Sequence, residues 1–228
     1  PARKKEPKDL TAKKNLALEV IDRLKKEYPD AGCTLDYDHA WQLLVSVRLA
    51  AQCTDARVNI VVEDLFARYP SVAALAAAEP EDIEAIVKPC GLGHSKARDI
   101  SACMRMLRDK YNCQVPTTFE ELLALPGVGR KSANLIMGDV FSKPAIVTDT
   151  HCIRLCNKIG LVDGIKEPQK VEMALWKIIP PEEGSDLCHR FVMHGRAVCN
   201  ARKPECEKCC LNDICRYAPE QSGADTAQ

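Results

Sequence analysis

The stretch Leu125-Pro126-Gly127-Val128-Gly129-Arg130-Lys131 decides how this chain folds and what it can bind. An apolar helical pattern stops at Pro126, and two glycines then turn the chain. A new helix is expected from about Arg130, so its unpaired backbone N–H groups and the positive end of its dipole face the turn. Such a helix start favours the binding of a phosphate group.

The turn and the helices on either side form a helix-hairpin-helix motif, a unit that contacts the DNA backbone without reading its sequence. Gly127 and Gly129 have no Cβ atoms, so we expect both to take unusual φ values and to let a phosphate approach the backbone. Arg130 adds a positive charge beside them. The alternative is an ordinary Pro-Gly connection between two helices that binds no ligand.

Lys131 lies in the first turn of the second helix, where the helix dipole and partial burial both disfavour its ammonium form. A neutral lysine is a nucleophile. Asp149 follows eighteen residues later, after an apolar helix and a turn, and an antiparallel return of this length would place its carboxylate beside the amine. The alternative role for Asp149 is the N-cap of the next helix, which does not exclude a role in chemistry.

Four cysteines near the end of the sequence predict a metal centre. They have the spacing C-x6-C-x2-C-x5-C and are Cys199, Cys206, Cys209 and Cys215. The segments between them are too short to build a hydrophobic core, so metal ligation must organise this region. Tetrahedral sulfur ligation suits zinc or an iron-sulfur cluster, and the composition does not decide between them.

Taken together, the hairpin lysine, the aspartate eighteen residues later and the four-cysteine spacing resemble the endonuclease III family, DNA glycosylases with an associated AP lyase activity. The resemblance extends over nearly the whole chain. It implies that Lys131 and Asp149 are catalytic residues and that the four cysteines hold a 4Fe-4S cluster. The implied partner is double-stranded DNA that contains damaged bases or abasic sites.

Two further segments carry the same resemblance. Leu49–Asp55 looks like the segment whose glutamine enters the duplex and fills the gap left by an extruded nucleotide, a role that falls on Gln52. Gly91–Ala97 looks like the loop whose apolar tip wedges into the opposite side of the base stack, a role that falls on Leu92. The alternatives are an ordinary polar residue at a helix end and an ordinary turn between helices.

The resemblance implies a bifunctional enzyme of base excision repair. It would remove oxidised pyrimidines from duplex DNA and cleave the abasic site by β-elimination through a lysine Schiff base. The alternatives are a non-catalytic DNA-binding module, a zinc-scaffolded protein, and a glycosylase of the same superfamily that acts on a mismatch or on adenine. An adenine glycosylase lacks the hairpin lysine and needs a glutamate where this chain has Val47.

Amphipathic runs without a competing strand pattern predict an all-α fold. The predicted helices cover residues 9–27, 38–51, 55–68, 71–78, 80–88, 95–111, 118–124, 130–141, 150–158, 168–178 and 183–197. The resemblance implies two helical lobes with a central cleft, across which Lys131 faces Asp149. One is a helical bundle domain of residues 33–143 with the helix-hairpin-helix, and the other is a discontinuous iron-sulfur cluster domain of residues 1–32 plus 144–228.

Basic and acidic residues are balanced at 32 each, so the net charge alone does not indicate a DNA-binding protein. The distribution is more informative, because basic residues collect beside the hairpin, in the N-terminal arm and between the cysteines. Arg202 and Lys203 of the cysteine loop are expected to contact phosphate, since the cluster holds their backbone in place. The N-terminal arm is expected to be a solvated, partly disordered segment, and its basic residues are Arg3, Lys4, Lys5, Lys8, Lys13 and Lys14.

The remaining nine of the thirteen cysteines are scattered through apolar segments, which indicates free thiols in a reducing compartment. No apolar signal segment follows the basic start, and no run reaches the roughly 18 apolar residues that a membrane span needs. We therefore expect a cytoplasmic monomer without a membrane partner, associated with the nucleoid if the source is bacterial.

Arg48 is a charged residue in an apolar stretch that predicts a buried helix. A buried arginine needs a partner, because an unpaired charge in the interior is costly. The expected partner is Asp36, Asp38 or the carboxyl end of a helix. We expect no contact between Arg48 and the residues assigned to chemistry.

Overall fold

The computed structural model describes residues 7–217 of the 228-residue chain, with side chains from Leu10 onward. Arg3, Lys4 and Lys5 of the predicted solvated arm therefore lie outside the described residues. Within this range the regular structure consists of helices, which confirms the all-α prediction. The α-helices are α1 (Pro7–Glu27), α2 (Ala40–Leu49), α3 (Asp55–Arg68), α4 (Val72–Ala77), α5 (Pro80–Val87), α6 (Gly93–Tyr111), α7 (Phe119–Leu123), α8 (Arg130–Asp139), α9 (Thr150–Ile159), α10 (Pro168–Leu175) and α11 (Gly184–Ala197).

All eleven predicted helices are present, and their bounds differ from the predicted ones by at most three residues. Local signals explain this agreement. Ser71 and Thr118 begin α4 and α7 by accepting hydrogen bonds from backbone N–H groups three residues ahead. Short 3-10 helices cover Lys88–Cys90, Pro181–Glu183, Cys206–Lys208 and Asn212–Ile214. None of the helices in residues 7–217 is long and apolar enough to cross a membrane.

The helices form two compact units, one of residues up to 32 together with residues from 146 onward, and one of residues 33–145. In the second unit α6 packs against α4 and α5, while α8 packs against α2 and α7. One hydrophobic core joins these helices, and it includes Leu43, Leu65, Leu107 and Ile136. The core therefore fixes the helix that carries Lys131. Compactness alone does not show independent folding, so the predicted domains stay a prediction.

In the first unit α11 packs against both α1 and α9. Leu24, Leu155 and Phe191, one from each of these helices, are completely buried. The segment before α9 is also anchored, because Val147 is buried and its N–H donates to the Cys188 Sγ at 3.2 Å. The start of α9, where Asp149 lies, is therefore held by the packing of α9 against α11 and by the buried residues that precede it.

Arg48 is half-buried near the end of α2, and its Nε donates to the Asp99 Oδ2 of α6 at 2.7 Å. The prediction that its partner is Asp36, Asp38 or a helix carboxyl end is wrong. The true partner lies fifty-one residues further along the chain, so only the packing of α2 against α6 brings the two charges together.

The hairpin between α7 and α8 packs against this ion pair. Gly127 has a φ of +75°, and a Cβ atom placed there would lie 2.9 Å from the Asp99 Cβ and 3.1 Å from the Arg48 Cδ. Arg48 therefore lies beside Gly127, which is assigned to phosphate binding, and the expectation that Arg48 contacts no residue assigned to chemistry stays a prediction. Gly129 has a φ of −99° with extended ψ, which any residue adopts, so the predicted unusual φ is confirmed for Gly127 and wrong for Gly129.

Replacing the two glycines by serine should have different effects on stability. Gly127→Ser should lower the free energy of unfolding by about 1–3 kcal/mol. A residue with a side chain would have to adopt the left-handed backbone conformation of Gly127, and its Cβ atom would collide with the ion pair. Gly129→Ser is the matched control and should leave the free energy unchanged or slightly raised, since serine is a preferred N-cap and a Cβ there meets no atom within 4 Å. Urea unfolding followed by circular dichroism measures both, and equal midpoints would contradict this account.

Candidate active site and metal centre

The hairpin presents backbone N–H groups that no side chain caps. Gly129 is the N-cap of α8, makes no capping hydrogen bond through a side chain, and is followed by a first turn without an acidic residue. The side chain of Arg130 is held nearby, with its guanidinium 4.9 Å from the centre of the Phe119 ring, a cation–π contact. The start of α8 therefore combines positive charge, helix dipole and hydrogen-bond donors.

Lys131 is the second residue of α8, and its side chain is exposed. The expectation of partial burial is therefore wrong, because the position directly follows the hairpin and the buried face of α8 begins only at Ala133. In the protein alone, water surrounds this amine.

Asp149 is the N-cap of α9, and its Oδ1 accepts a hydrogen bond from the Cys152 N–H at 2.7 Å. The N-cap role considered for it is thus confirmed. A carboxylate has two oxygens and several lone pairs, so the cap leaves capacity for a second interaction. Asp149 belongs to the first unit and Lys131 to the second, and their meeting across a cleft stays a prediction.

Gln52 and Leu92 share an unusual conformation. Both side chains are exposed, and both residues have left-handed backbone, with φ values of +58° and +50°. Leu92 is 57% exposed, so it combines an unfavourable backbone with an apolar side chain in water. An ordinary turn avoids both features, and backbone strain of this kind is typical of binding sites.

The four predicted ligand cysteines line a single pocket. They are Cys199, Cys206, Cys209 and Cys215, whereas the neighbouring Cys210 is not part of the lining. Among residues 7–217, no three His, Cys, Asp or Glu side chains are grouped closely enough to hold a single metal ion. The structure therefore brings the four thiols to one pocket without grouping them around a single point.

The electrostatics of the pocket suit a bound cationic centre. Burial raises the pKa of the Cys209 thiol to about 11. Burial also raises the pKa of the Cys199 thiol, although the positive charges of Lys158 and Arg154 oppose that rise. Thiolates in this pocket therefore need a metal centre to compensate for their desolvation.

His194 is a member of this site that the sequence analysis did not assign. It is buried on α11, and its ring lies between the Tyr28 hydroxyl, 3.0 Å from Nδ1, and the Cys209 Sγ, 3.3 Å from Nε2. Burial lowers its pKa to about 4, which keeps the ring neutral. A neutral tautomer that accepts from Tyr28 and donates to Cys209 satisfies both contacts. Its place five residues before Cys199 gives no sequence signal for this role.

Arg202 and Lys203 are exposed in the loop between Cys199 and Cys206. The loop has internal order, because the Lys203 N–H donates to the Asn200 Oδ1 at 2.7 Å and the Glu205 N–H donates to the Val198 carbonyl at 3.0 Å. Both cations are therefore presented to solvent on a turn with a defined shape.

Comparison with known proteins agrees with these features. Residues 45–181 match the model of the HhH-GPD superfamily base excision DNA repair proteins. Endonuclease III of Synechocystis sp. is 42% identical over 210 residues, which cover 92% of this chain and 95% of that protein. Endonuclease III of Escherichia coli is 38% identical over 200 residues, which cover 88% of this chain and 94% of that protein.

Solved structures show the same relationship. A non-covalent complex of endonuclease III with DNA has a TM-score of 0.85 and 40% identity, covering 90% of this chain and 96% of that one. A trapped covalent intermediate of endonuclease III with DNA gives the same values. A thermostable thymine-DNA glycosylase, 20% identical with a TM-score of 0.79, shares the fold. By sequence identity, coverage and fold, the chain belongs to the endonuclease III family of the HhH-GPD superfamily.

Proposed function

We propose that this chain is a DNA glycosylase and AP lyase of base excision repair, which removes oxidised pyrimidines from duplex DNA and cleaves the resulting abasic site. The observation that carries the proposal is an exposed lysine in the first turn of α8, directly after an uncapped hairpin. The relative that was trapped as a covalent intermediate with DNA supports a covalent mechanism. The proposal assigns catalysis to Lys131 and Asp149.

Binding begins with phosphate contacts that do not depend on sequence. The N–H groups at the start of α8, with Gly127, Gly129 and Arg130, form the phosphate site of the hairpin. Arg202 and Lys203 supply a second cationic contact. Each phosphate neutralised releases counterions, so affinity should fall steeply as salt is raised.

Base extrusion gives part of the selectivity, because a damaged and poorly stacked base costs less to extrude than a sound one. Leu92 contributes an apolar side chain and Gln52 a polar one to the opened stack. Their exposure in the free protein is consistent with these roles, since neither side chain must leave a packed core before it meets DNA.

The chemistry centres on Lys131. Its Nζ attacks the C1′ carbon of the extruded nucleotide, and the base leaves with the electron pair of the glycosidic bond. Loss of a proton from nitrogen and opening of the sugar give a Schiff base. This cation acidifies the C2′ proton, and its removal breaks the C3′–O bond, which cuts the strand on the 3′ side. Asp149 stabilises positive charge that develops on the sugar and assists the proton transfers.

A 4Fe-4S cluster is assigned to Cys199, Cys206, Cys209 and Cys215. Four thiols around one pocket suit a zinc ion or an iron-sulfur cluster, and the assignment to a cluster follows the endonuclease III family to which the chain belongs. When bound, the cluster supplies folding energy and orders the loop that carries Arg202 and Lys203.

Borohydride trapping on duplex DNA with an abasic site tests the central claim. The wild-type chain should form a covalent adduct, because reduction fixes the Schiff base. Lys131→Met should form none, while Lys110→Met, an exposed lysine of α6, should behave like the wild type. A wild-type chain that binds this DNA without an adduct would instead be a non-catalytic DNA-binding module.

Two substitutions separate the two roles of Asp149. Asp149→Asn keeps an oxygen for the N-cap but removes the charge, whereas Asp149→Ala removes both. Both variants should lower the single-turnover rate of base release by roughly 10²-fold or more. Only Asp149→Ala should also lower the unfolding midpoint. If Asp149→Asn releases the base at the wild-type rate, Asp149 has no catalytic role and acts only as the N-cap of α9.

The metal centre is tested by a matched pair of cysteines in one loop. Cys206→Ser should lose the brown colour and visible absorption of the cluster, while Cys210→Ser should retain both, because Cys210 does not line the pocket. Strand cutting by the wild type should survive EDTA, since the reaction needs no exchangeable ion. A colourless wild-type protein that contains zinc would contradict the assignment.

A further inference from the structure

A lysine is completely buried in the second unit. Lys96 lies on α6 with a relative exposure of 0%, and its Nζ donates to the backbone carbonyls of Leu49 and Cys90, each at 2.8 Å. Burial lowers the pKa of this ammonium group. Burying a cation is costly unless hydrogen bonds compensate for the lost water, so the two carbonyl contacts stabilise the buried ammonium group.

The two carbonyls belong to the ends of two separate helical segments. Leu49 is the last residue of α2, three residues before Gln52. Cys90 is the last residue of a 3-10 helix, two residues before Leu92. Carbonyl groups at helix ends lack intrahelical partners, and an ammonium group satisfies them well. One side chain thus ties together the starts of the two loops that carry Gln52 and Leu92.

Two further observations show that these loops are constrained. Gln52 and Leu92 both have left-handed backbone, which side-chain-bearing residues keep only where the surroundings enforce it. Cys90 of one loop also lies beside Cys53 of the other, and burial together with this neighbour raises the pKa of the Cys90 thiol to about 11. The buried Lys96 side chain therefore connects the two loops to each other through the residues that precede them.

We propose that Lys96 is a positioning residue that fixes the spacing of the Gln52 and Leu92 loops, so that both side chains enter an opened base stack together. It contacts neither DNA nor Lys131 in this role. This inference rests on the proposed function, because it presumes that the two loops enter the duplex.

The test compares two substrates that differ in their need for stack opening. On duplex DNA with an oxidised pyrimidine, Lys96→Met should lower the single-turnover rate of base release by about 10-fold to 100-fold. On single-stranded abasic DNA, where no stack must be opened, borohydride trapping by the same variant should stay within twofold of the wild type. Lys110→Met, on the same helix, should match the wild type on both substrates.

A second comparison separates positioning from a general structural role. In a chain that already carries Gln52→Ala and Leu92→Ala, adding Lys96→Met should lower the duplex rate by less than about twofold, because the loops no longer have side chains to position. An equal loss on both substrates, an unchanged duplex rate, or a full further loss in the double-alanine chain would overturn the proposal. If Lys96→Met does not fold, Lys96→Gln, which keeps a neutral donor, is measured in the same way.

These outcomes also separate this inference from the proposed function. If the wild-type chain forms no adduct with either substrate, the glycosylase and lyase proposal fails. If the wild type forms the adduct and Lys96→Met releases the base from duplex DNA at the wild-type rate, only the positioning role fails.

Discussion

The space around Gly127 is too small for a side chain. The position of Lys131 at the start of the next helix depends on this close packing of the turn. The turn passes so close to the Arg48–Asp99 ion pair that even a Cβ atom would meet it. Because the turn is fixed, the start of α8 is fixed with it, and its N–H groups and the lysine of its first turn share one surface. The proposed phosphate site and the proposed nucleophile are thereby adjacent in the structure.

Helix α6 supports both kinds of proposed DNA contact in the second unit. Asp99 pairs with Arg48 behind the hairpin, and Lys96 binds the carbonyls that precede the Gln52 and Leu92 loops. These two charged residues are three positions apart, on neighbouring turns of one helix. Contacts with one helix therefore set the positions of the hairpin and of the two loops. This arrangement suits a site whose parts must contact a single nucleotide in one geometry.

In the first unit, too, contacts between distant segments hold the candidate site residues in place. The buried segment before α9 holds Asp149 at the helix start, where its carboxylate both caps the helix and remains half-exposed. The cysteine loop has no hydrophobic core of its own, so the shared pocket of four thiols must hold it together. His194 connects that pocket to α1 through the Tyr28 hydroxyl. Chain segments far apart in sequence thus converge on the pocket of four thiols.

The sequence by itself determined the helices, the hairpin and the set of cysteines, because caps, prolines, glycines and short spacings act over a few residues. Thr118 caps the start of α7, and Pro126, three residues after its last residue Leu123, prevents the helix from continuing into the hairpin. The resemblance added the assignment of Lys131 and Asp149, which spacing alone left open.

Only the tertiary structure decided which residues meet and which are buried. It paired Arg48 with Asp99 instead of the nearer aspartates, and it buried Lys96 while exposing Lys131. No local pattern distinguishes these two lysines, since each lies near the start of a helix after a glycine turn. Their environments differ because contacts between residues distant in sequence, which depend on how all the helices pack, set the desolvation and the hydrogen bonding of each amine.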